Sequence, residues 1–189
     1  MTATQQLLTP EEFFKQYEGA GPEKFELWDG EVRAMAPVGH EHGRAVIEIG
    51  GALALFVKQH RLGSITTEVG FVLQSDPAIV LAPDLAFLEA ARVPLPADEG
   101  LFIQGPPALA IEVTSPSDSD TAVHRKVQLY LRHGVPRVWV VRPTNQSVTV
   151  HRPDGTAREL GPADRLASDD AGFSFDGFAL PLVEIFPSR

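Results

Sequence analysis

The chain contains no cysteine, and this absence excludes disulfides and zinc sites built on thiolates. No stretch approaches the roughly 18 consecutive apolar residues that a membrane span requires. The first residues, Met1 to Gln6, lack the basic start and apolar core of a signal peptide. These absences predict a protein without a membrane span that resides in the cytoplasm.

Basic residues are scarce relative to acidic ones: 16 Lys and Arg stand against 25 Asp and Glu, for a net charge of −9. Binding to nucleic acid draws on Lys and Arg, so this balance argues against a protein that holds DNA over a broad surface. A local cluster of basic residues, or a groove assembled by dimerisation, would be needed instead.

With 189 residues, 43% of them hydrophobic and 22% charged, the chain has the composition of a globular protein. This length suffices for one domain with a full core, and it is short for two. We therefore predict a single domain over residues 1–189.

Local signals predict several elements. A capping box at Thr9–Glu12 predicts a helix to about Tyr17, and Asp29-Gly30 predicts the turn of a β-hairpin. Apolar residues at helical spacing predict two further helices, at about 41–60 and 118–133. Alternation predicts a strand at 64–73, and apolar runs predict strands at 79–88, 108–113 and 135–141, the last of which is expected to pair with a strand at 148–152.

Glu112 is the feature around which the sequence is organised, because it lies in an apolar run that predicts a buried strand. A buried ionised carboxylate needs a partner, and the candidates are a metal ion, Lys126 and Asp84. Asp84 lies in a similar apolar run, where Pro83 cannot donate to a ladder and should leave Asp84 exposed to a cleft. The alternative for Asp84 is an Asx turn that ends a strand.

Lys126 lies beside the apolar stripe of the predicted helix, one turn before Tyr130. Its ammonium group can therefore lean over the strand end that carries Glu112. The alternative is a surface lysine whose stem covers apolar area.

A series of short motifs occurs in a fixed order along the chain. They are Phe25-Glu26-Leu27-Trp28-Asp29-Gly30-Glu31, Ala36-Pro37 with His42, Pro83-Asp84-Leu85, Glu112-Val113-Thr114-Ser115-Pro116-Ser117, Lys126 to Tyr130, and Gly134-Val135-Pro136. With these motifs the chain resembles the Uma2 family of restriction endonuclease-like proteins, a branch of the PD-(D/E)XK nuclease superfamily. The resemblance covers about residues 8 to 152.

The resemblance implies an α/β, restriction endonuclease-like fold, with a central mixed β-sheet flanked by helices, an N-terminal helix and a β-hairpin. It also implies metal-dependent hydrolysis of DNA phosphodiester bonds. Mg²⁺, or Mn²⁺ in its place, prefers oxygen ligands and keeps several waters, so Asp84, Glu112 and the Val113 carbonyl would be the protein's share. Lys126 would neutralise developing charge or hold the attacking water.

Three further residues have a functional and a structural interpretation. The resemblance implies that Glu26 is an auxiliary acidic residue near the metal, and the alternative is a solvated strand residue. His42 is expected to meet a phosphate or hydrogen-bond the site, unless it caps a helix. Ser115 would bind a phosphate or cap the following helix.

This chain departs from the general patterns at two positions. The superfamily's usual lysine follows its acid by two residues, where this chain has Thr114, and Uma2-like proteins resemble this chain in placing the lysine on the next helix. The family usually has Asp where Arg142 stands. The Arg142 departure affects a local hydrogen bond and not the metal site. The missing lysine at Thr114 and the acidic net charge support one alternative to an enzyme, a catalytically inactive binding module with the nuclease fold. A structural cation-binding protein is the other alternative.

An unpaired strand edge and the exposed hairpin favour a homodimer, as does the analogy with restriction-type nucleases that act in pairs.

Overall fold

The computed structural model describes residues 7–17, 24–94 and 102–186. The helices in these ranges are α1 (Pro10–Tyr17), α2 (His40–His60), α3 (Asp120–Arg132), α4 (Ser168–Ala171) and α5 (Leu182–Ile185), with a 3-10 helix at Ala90–Arg92. The strands are β1 (Phe25–Trp28), β2 (Glu31–Ala34), β3 (Gly63–Thr66), β4 (Phe71–Ser75), β5 (Ala78–Leu81), β6 (Leu85–Glu89), β7 (Ile103–Gln104), β8 (Leu109–Val113), β9 (Val138–Arg142), β10 (Ser147–His151), β11 (Ala157–Leu160), β12 (Arg165–Ala167) and β13 (Ala179–Pro181).

These residues form two compact units. Unit 1 comprises the described parts of 1–37, 69–82 and 94–106, and unit 2 comprises those of 38–68, 83–93 and 107–189. The single domain predicted over residues 1–189 stays a prediction. Within the described ranges, no helix combines the length and the apolar character needed to cross a membrane.

Unit 1 contains the predicted N-terminal helix and hairpin. The capping box is formed, because the Thr9 amide donates to the Glu12 carboxylate at 3.0 Å and the Glu12 amide donates to Thr9 Oγ1 at 3.2 Å. The hairpin turns at Asp29 and Gly30, which have φ of 52° and 80°. Positive φ at both central residues is what the common two-residue turn favoured by Asp-Gly requires. Both predictions are confirmed, and the hairpin forms one edge of a sheet in the order β2-β1-β5-β4-β7.

Unit 2 is built on a six-stranded sheet in the order β11-β10-β9-β8-β6-β3. Strands β8 and β9 are parallel and are joined through α3, whereas the other neighbouring strands are antiparallel. The sheet is therefore mixed, as predicted. Helix α2 packs its buried face on this sheet, in a core that includes Ala45, Ile49, Leu53, Val57, Leu85, Phe87, Leu109, Ile111 and Trp139.

Two predicted strands are each two strands in the structure. The alternating stretch 64–73 is broken at Glu68, which has a φ of 58°, and its halves β3 and β4 belong to different sheets. The stretch 79–88 is broken at Ala82-Pro83-Asp84, between β5 and β6. Pro83 has no N–H for a ladder, and its carbonyl accepts from the Glu68 amide at 3.1 Å. Alternation alone does not show where a chain passes from one sheet to another.

Candidate active site

Glu112 lies near the end of β8, a strand that is buried throughout its length. Both oxygens of its carboxylate accept hydrogen bonds from α3. The Lys126 ammonium lies 2.8 Å from Oε2, and the Tyr130 hydroxyl donates to Oε1 at 2.7 Å. Residues four apart on a helix face the same side, so one turn of α3 supplies both donors.

The Glu112–Lys126 ion pair is buried, with side-chain exposures of 11% and 8%. Burying one charge alone would cost several kcal/mol, so the two charges must be buried as a pair. Because Lys126 is buried, the alternative of a surface lysine is wrong. Its catalytic role stays a prediction.

Asp84 is the residue before β6. The antiparallel register pairs Leu85 with Ile111, so continuing it by one residue places Asp84 opposite Glu112. Asp84 Oδ2 accepts from the Val113 amide at 2.7 Å and lies 3.2 Å from His42 Nε2. Within the described part of the chain, Oδ1 has no hydrogen-bond partner. Asp84, Glu112 and Lys126 therefore lie together in unit 2.

His42 is in the first turn of α2 and is buried, with a side-chain exposure of 7%. The N-cap of this helix is Gly39, so the capping role considered for His42 is wrong. Instead, His42 Nε2 faces the Asp84 carboxylate, while Nδ1 has no hydrogen-bond partner among the described residues. The imidazole thus helps to fix the orientation of Asp84.

Glu26 lies in β1 of unit 1 and is fully buried. Its carboxylate accepts from Trp28 Nε1 at 2.9 Å and from the Ala82 amide at 2.9 Å. The alternative of a solvated strand residue is therefore wrong. Its role as an auxiliary acid stays a prediction.

Ser115 and Thr114 follow β8. Helix α3 begins at Asp120, and its N-cap is Ser119, whose hydroxyl accepts from the Ala122 amide at 3.2 Å. The capping role of Ser115 is therefore wrong, and its amide donates instead to Asp118 Oδ2 at 2.7 Å. Phosphate binding by Ser115 stays a prediction. Thr114, at the superfamily's usual lysine position, donates its hydroxyl to the Val141 carbonyl at 3.3 Å.

Within the described ranges, no three side chains of the types His, Asp and Glu form a group that could enclose a metal ion. A divalent ion of the Mg²⁺ type does not require such an enclosure, because one or two carboxylates suffice when waters and phosphate fill the other positions. Asp84 has a carboxylate oxygen without a hydrogen-bond partner in the described part, and the Glu112 carboxylate supplies a second oxygen-donor group beside it. The donor set fits such an ion.

Two features of this site are missing from the sequence interpretation. The sequence interpretation places Tyr130 only in the apolar stripe of α3. Its spacing of four from Lys126 could have indicated that both side chains reach Glu112. The sequence interpretation expects His42 to hydrogen-bond the site, but nothing in the sequence identifies Asp84 as its partner, since only the packing of α2 on the sheet brings the two residues together.

Comparisons with known proteins identify the fold and the family of this chain. One solved structure, described as that of a putative nuclease belonging to DUF820 from Anabaena variabilis, superposes with a TM-score of 0.75. It is 22% identical, and the match covers 95% of this chain and 97% of that one. At this identity the likeness shows the fold, which is restriction endonuclease-like, as predicted. No curated protein matches the sequence.

A family model covers most of the chain. The model of Uma2, described as "Putative restriction endonuclease", matches residues 10–181. These include Asp84, the strand that carries Glu112 and the helix that carries Lys126, as well as the hairpin with Glu26. The chain therefore belongs to the Uma2 family.

Proposed function

We propose that this protein is a metal-dependent endonuclease that hydrolyses phosphodiester bonds in DNA. The observation that carries the proposal is the convergence of two carboxylates and an ammonium group at one end of β8. Asp84, Glu112 and Lys126 come from three different elements, and the hydrogen bonds described above hold all three.

Phosphodiester hydrolysis requires an activated water, stabilisation of the charge that develops on the phosphate, and help for the leaving oxygen. Asp84, Glu112 and the Val113 carbonyl would hold Mg²⁺ or Mn²⁺. When bound, the ion supplies Lewis-acid stabilisation and lowers the pKa of a coordinated water.

The chain's own residues prepare this site in three ways. The Val113 amide and His42 fix one oxygen of Asp84, which leaves the other oxygen for a ligand. Tyr130 orients Glu112 by donating to Oε1. Lys126 keeps a positive charge in a buried position, where it stabilises negative charge more strongly than it would in water.

A second candidate, a binding module with the nuclease fold but no turnover, is favoured by one observation. Both oxygens of Glu112 already accept hydrogen bonds from Lys126 and Tyr130, so a ligand would share an occupied carboxylate. A protein in which the carboxylates hold a structural cation without turnover is a separate, third possibility.

A plasmid-nicking assay tests the proposal. Supercoiled plasmid is incubated with the protein and Mg²⁺ or Mn²⁺, beside D84N, K126A and the control E184Q, which changes an exposed carboxylate. We expect metal-dependent nicking by the wild type and by E184Q, and a loss of roughly 100-fold or more in D84N and K126A. Circular dichroism checks that each variant is folded.

Other outcomes favour the alternatives. Identical traces for the wild type, D84N and K126A would reject the enzyme, because the activity would not depend on the site. Binding of Mn²⁺ measured by calorimetry, with no cleavage at any metal concentration, would favour the cation-binding alternative. The cytoplasmic location stays a prediction.

The same proposal includes a homodimer, for which α2 offers the surface. Ile47 and Leu55 are 73% and 61% exposed on the helix face that points away from the core. Gly51 lies between them, and a Cβ built there would meet nothing within 4 Å. Exposed apolar side chains beside open space fit the close approach of a second helix.

A second copy is the occupant that the apolar spacing on α2 favours, since Ile47 and Leu55 lie four residues on either side of Gly51. An antiparallel pairing centred on Gly51 would place Ile47 of one copy opposite Leu55 of the other. It would also place Glu41, in the first turn, opposite Arg61, just past the last turn. The same register would place Arg44 opposite Lys58, so the twofold contact is self-complementary in its apolar centre but not throughout in charge.

A further inference from the structure

Four polar or basic side chains lie on one face of β9 and β10. The antiparallel register pairs Arg142 with Ser147. Two and four residues further along β10 on the same face are Thr149 and His151. Side chains alternate along a strand, so these four share a face. The Arg142 guanidinium donates to Thr149 Oγ1 at 3.2 Å, which agrees with this placement. We call these four residues the Arg142 cluster.

The Arg142 cluster lies on the same face as Glu112. In the parallel pair β8–β9, Glu112 is in register with Val140, and Arg142 follows Val140 by two residues. Strand spacing and rise place the Cα atoms of Glu112 and Arg142 roughly 8 Å apart. Arg142 thus lies at the same end of the strands as the candidate active site, on the side of Glu112 away from Asp84.

The cluster carries basic groups without an acidic partner. No carboxylate in the described part of the chain forms an ion pair with Arg142, His151 or the nearby His124 of α3. Burial, together with the positive charges of Arg142 and His124, holds the pKa of His151 below its ordinary value. Glu159, opposite Thr149 on the neighbouring strand β11, is exposed and pairs with none of them. In a chain of net charge −9, this is a local basic site.

Ser147 provides an independent observation. This residue is 6% exposed, and its Oγ has no hydrogen-bond partner among the described residues. An unpaired buried hydroxyl costs about 1–3 kcal/mol, and a bound acceptor on that face would satisfy it. Ser147 is the cross-strand neighbour of Arg142, so one acceptor group could reach both.

We propose that the Arg142 cluster binds a backbone phosphate of the nucleic acid, next to the phosphate held at Asp84 and Glu112. The guanidinium presents two parallel N–H donors that match phosphate oxygens, and Ser147 supplies a neutral donor. His151 adds a second charge when phosphate binding favours its protonated form. This inference rests on the proposed function, because it assigns a part of the substrate to this face.

Nuclear magnetic resonance of the histidine rings tests the inference directly. The Hε1 signal of His151, identified by its absence in H151Q, is followed as inorganic phosphate or a short DNA duplex is added in the presence of EDTA. We expect both ligands to shift this signal and to raise the pKa of His151. Arg142→Gln should weaken the response to both ligands by roughly tenfold or more, and Arg142→Lys should weaken it less.

Arg165→Gln is the matched control, since it removes one exposed arginine of unit 2 that lies outside the cluster. It should change the affinity less than about twofold. The slope of log affinity for DNA against log salt should fall by about 1 in Arg142→Gln. The inference is overturned if the His151 signal does not shift when either ligand is added. It is also overturned if the signal shifts equally in the wild type and in Arg142→Gln. A response to inorganic phosphate but not to DNA also overturns it.

Plasmid nicking by the same preparations separates this inference from the proposed function. Nicking by a wild type whose His151 signal does not respond to DNA would overturn the phosphate site and leave the enzyme standing. A response to DNA that depends on Arg142, without nicking, would support the site and count against the enzyme.

Discussion

Lys126 and Glu112 form a buried ion pair, with 2.8 Å between Nζ and Oε2. Removing one partner of such a pair leaves a charge without compensation, whereas removing both leaves none. Single and double variants of the pair should therefore differ in their free energy of unfolding, so the site can be tested by stability as well as by activity.

We expect K126M to lower the free energy of unfolding by about 3–5 kcal/mol, because Glu112 would stay buried without its cation. The double variant K126M/E112M should recover most of this loss, since no charge remains buried. Urea denaturation measures both. A K126M variant within about 1 kcal/mol of the wild type would contradict the buried pair.

Replacing Tyr130 by Phe should cost about 1.5–3 kcal/mol, because the hydroxyl donates to a charged and buried acceptor. Tyr17→Phe is the matched control, since the Tyr17 hydroxyl accepts a long hydrogen bond of 3.4 Å from the exposed Gln16 side chain. It should cost less than about 0.5 kcal/mol. Equal losses in the two variants would argue against the bond to Glu112.

His42→Gln should weaken Mn²⁺ binding about 10–100-fold, because residues that orient a metal ligand contribute on this scale. His42 is 3.2 Å from Asp84 Oδ2, so its loss frees the carboxylate to rotate. His40→Gln, an exposed change in the same turn of α2, is the control. Isothermal titration calorimetry measures both affinities, and an unchanged affinity in His42→Gln would remove His42 from the site.

The lowered pKa of His151 predicts a loss of stability in acid. In the window below the ordinary His value of 6.5 and above the lowered pKa, the unfolded chain binds a proton that the folded chain does not. Above pH 6.5 His151 therefore takes nothing from the free energy of unfolding, and this free energy decreases as pH falls through the window.

His151→Gln should flatten this part of the stability profile, and His40→Gln should leave it unchanged. Urea denaturation at a series of pH values measures the slope. An identical slope in the wild type and in His151→Gln would show that other groups determine the acid sensitivity.

Ile47→Glu should weaken the proposed dimer, because two carboxylates would be brought into an apolar contact near the twofold axis. Val183→Glu changes an apolar residue on another helix that is 50% exposed, and it should leave the dimer intact. Sedimentation velocity over a range of concentrations gives the mass. Ile47→Glu and the wild type with equal masses would exclude α2 as the interface.

Several elements of this protein follow from local signals in the amino-acid sequence. The capping box at Thr9 and Glu12 specifies the start of α1, and Asp29-Gly30 specifies the hairpin, because each depends only on neighbouring residues. An acidic residue in an apolar run marked Glu112 as requiring a partner, since the cost of burying a charge does not depend on the fold.

Tertiary structure alone decided the rest. Only the packing of α2 brings His42 to Asp84, and only the parallel pairing of β8 with β9 places Arg142 beside Glu112. The breaks at Glu68 and Pro83 divide the chain between two sheets, which alternation of side chains cannot reveal. Contacts between residues far apart in the chain depend on how whole elements pack, and no local pattern encodes that packing by itself.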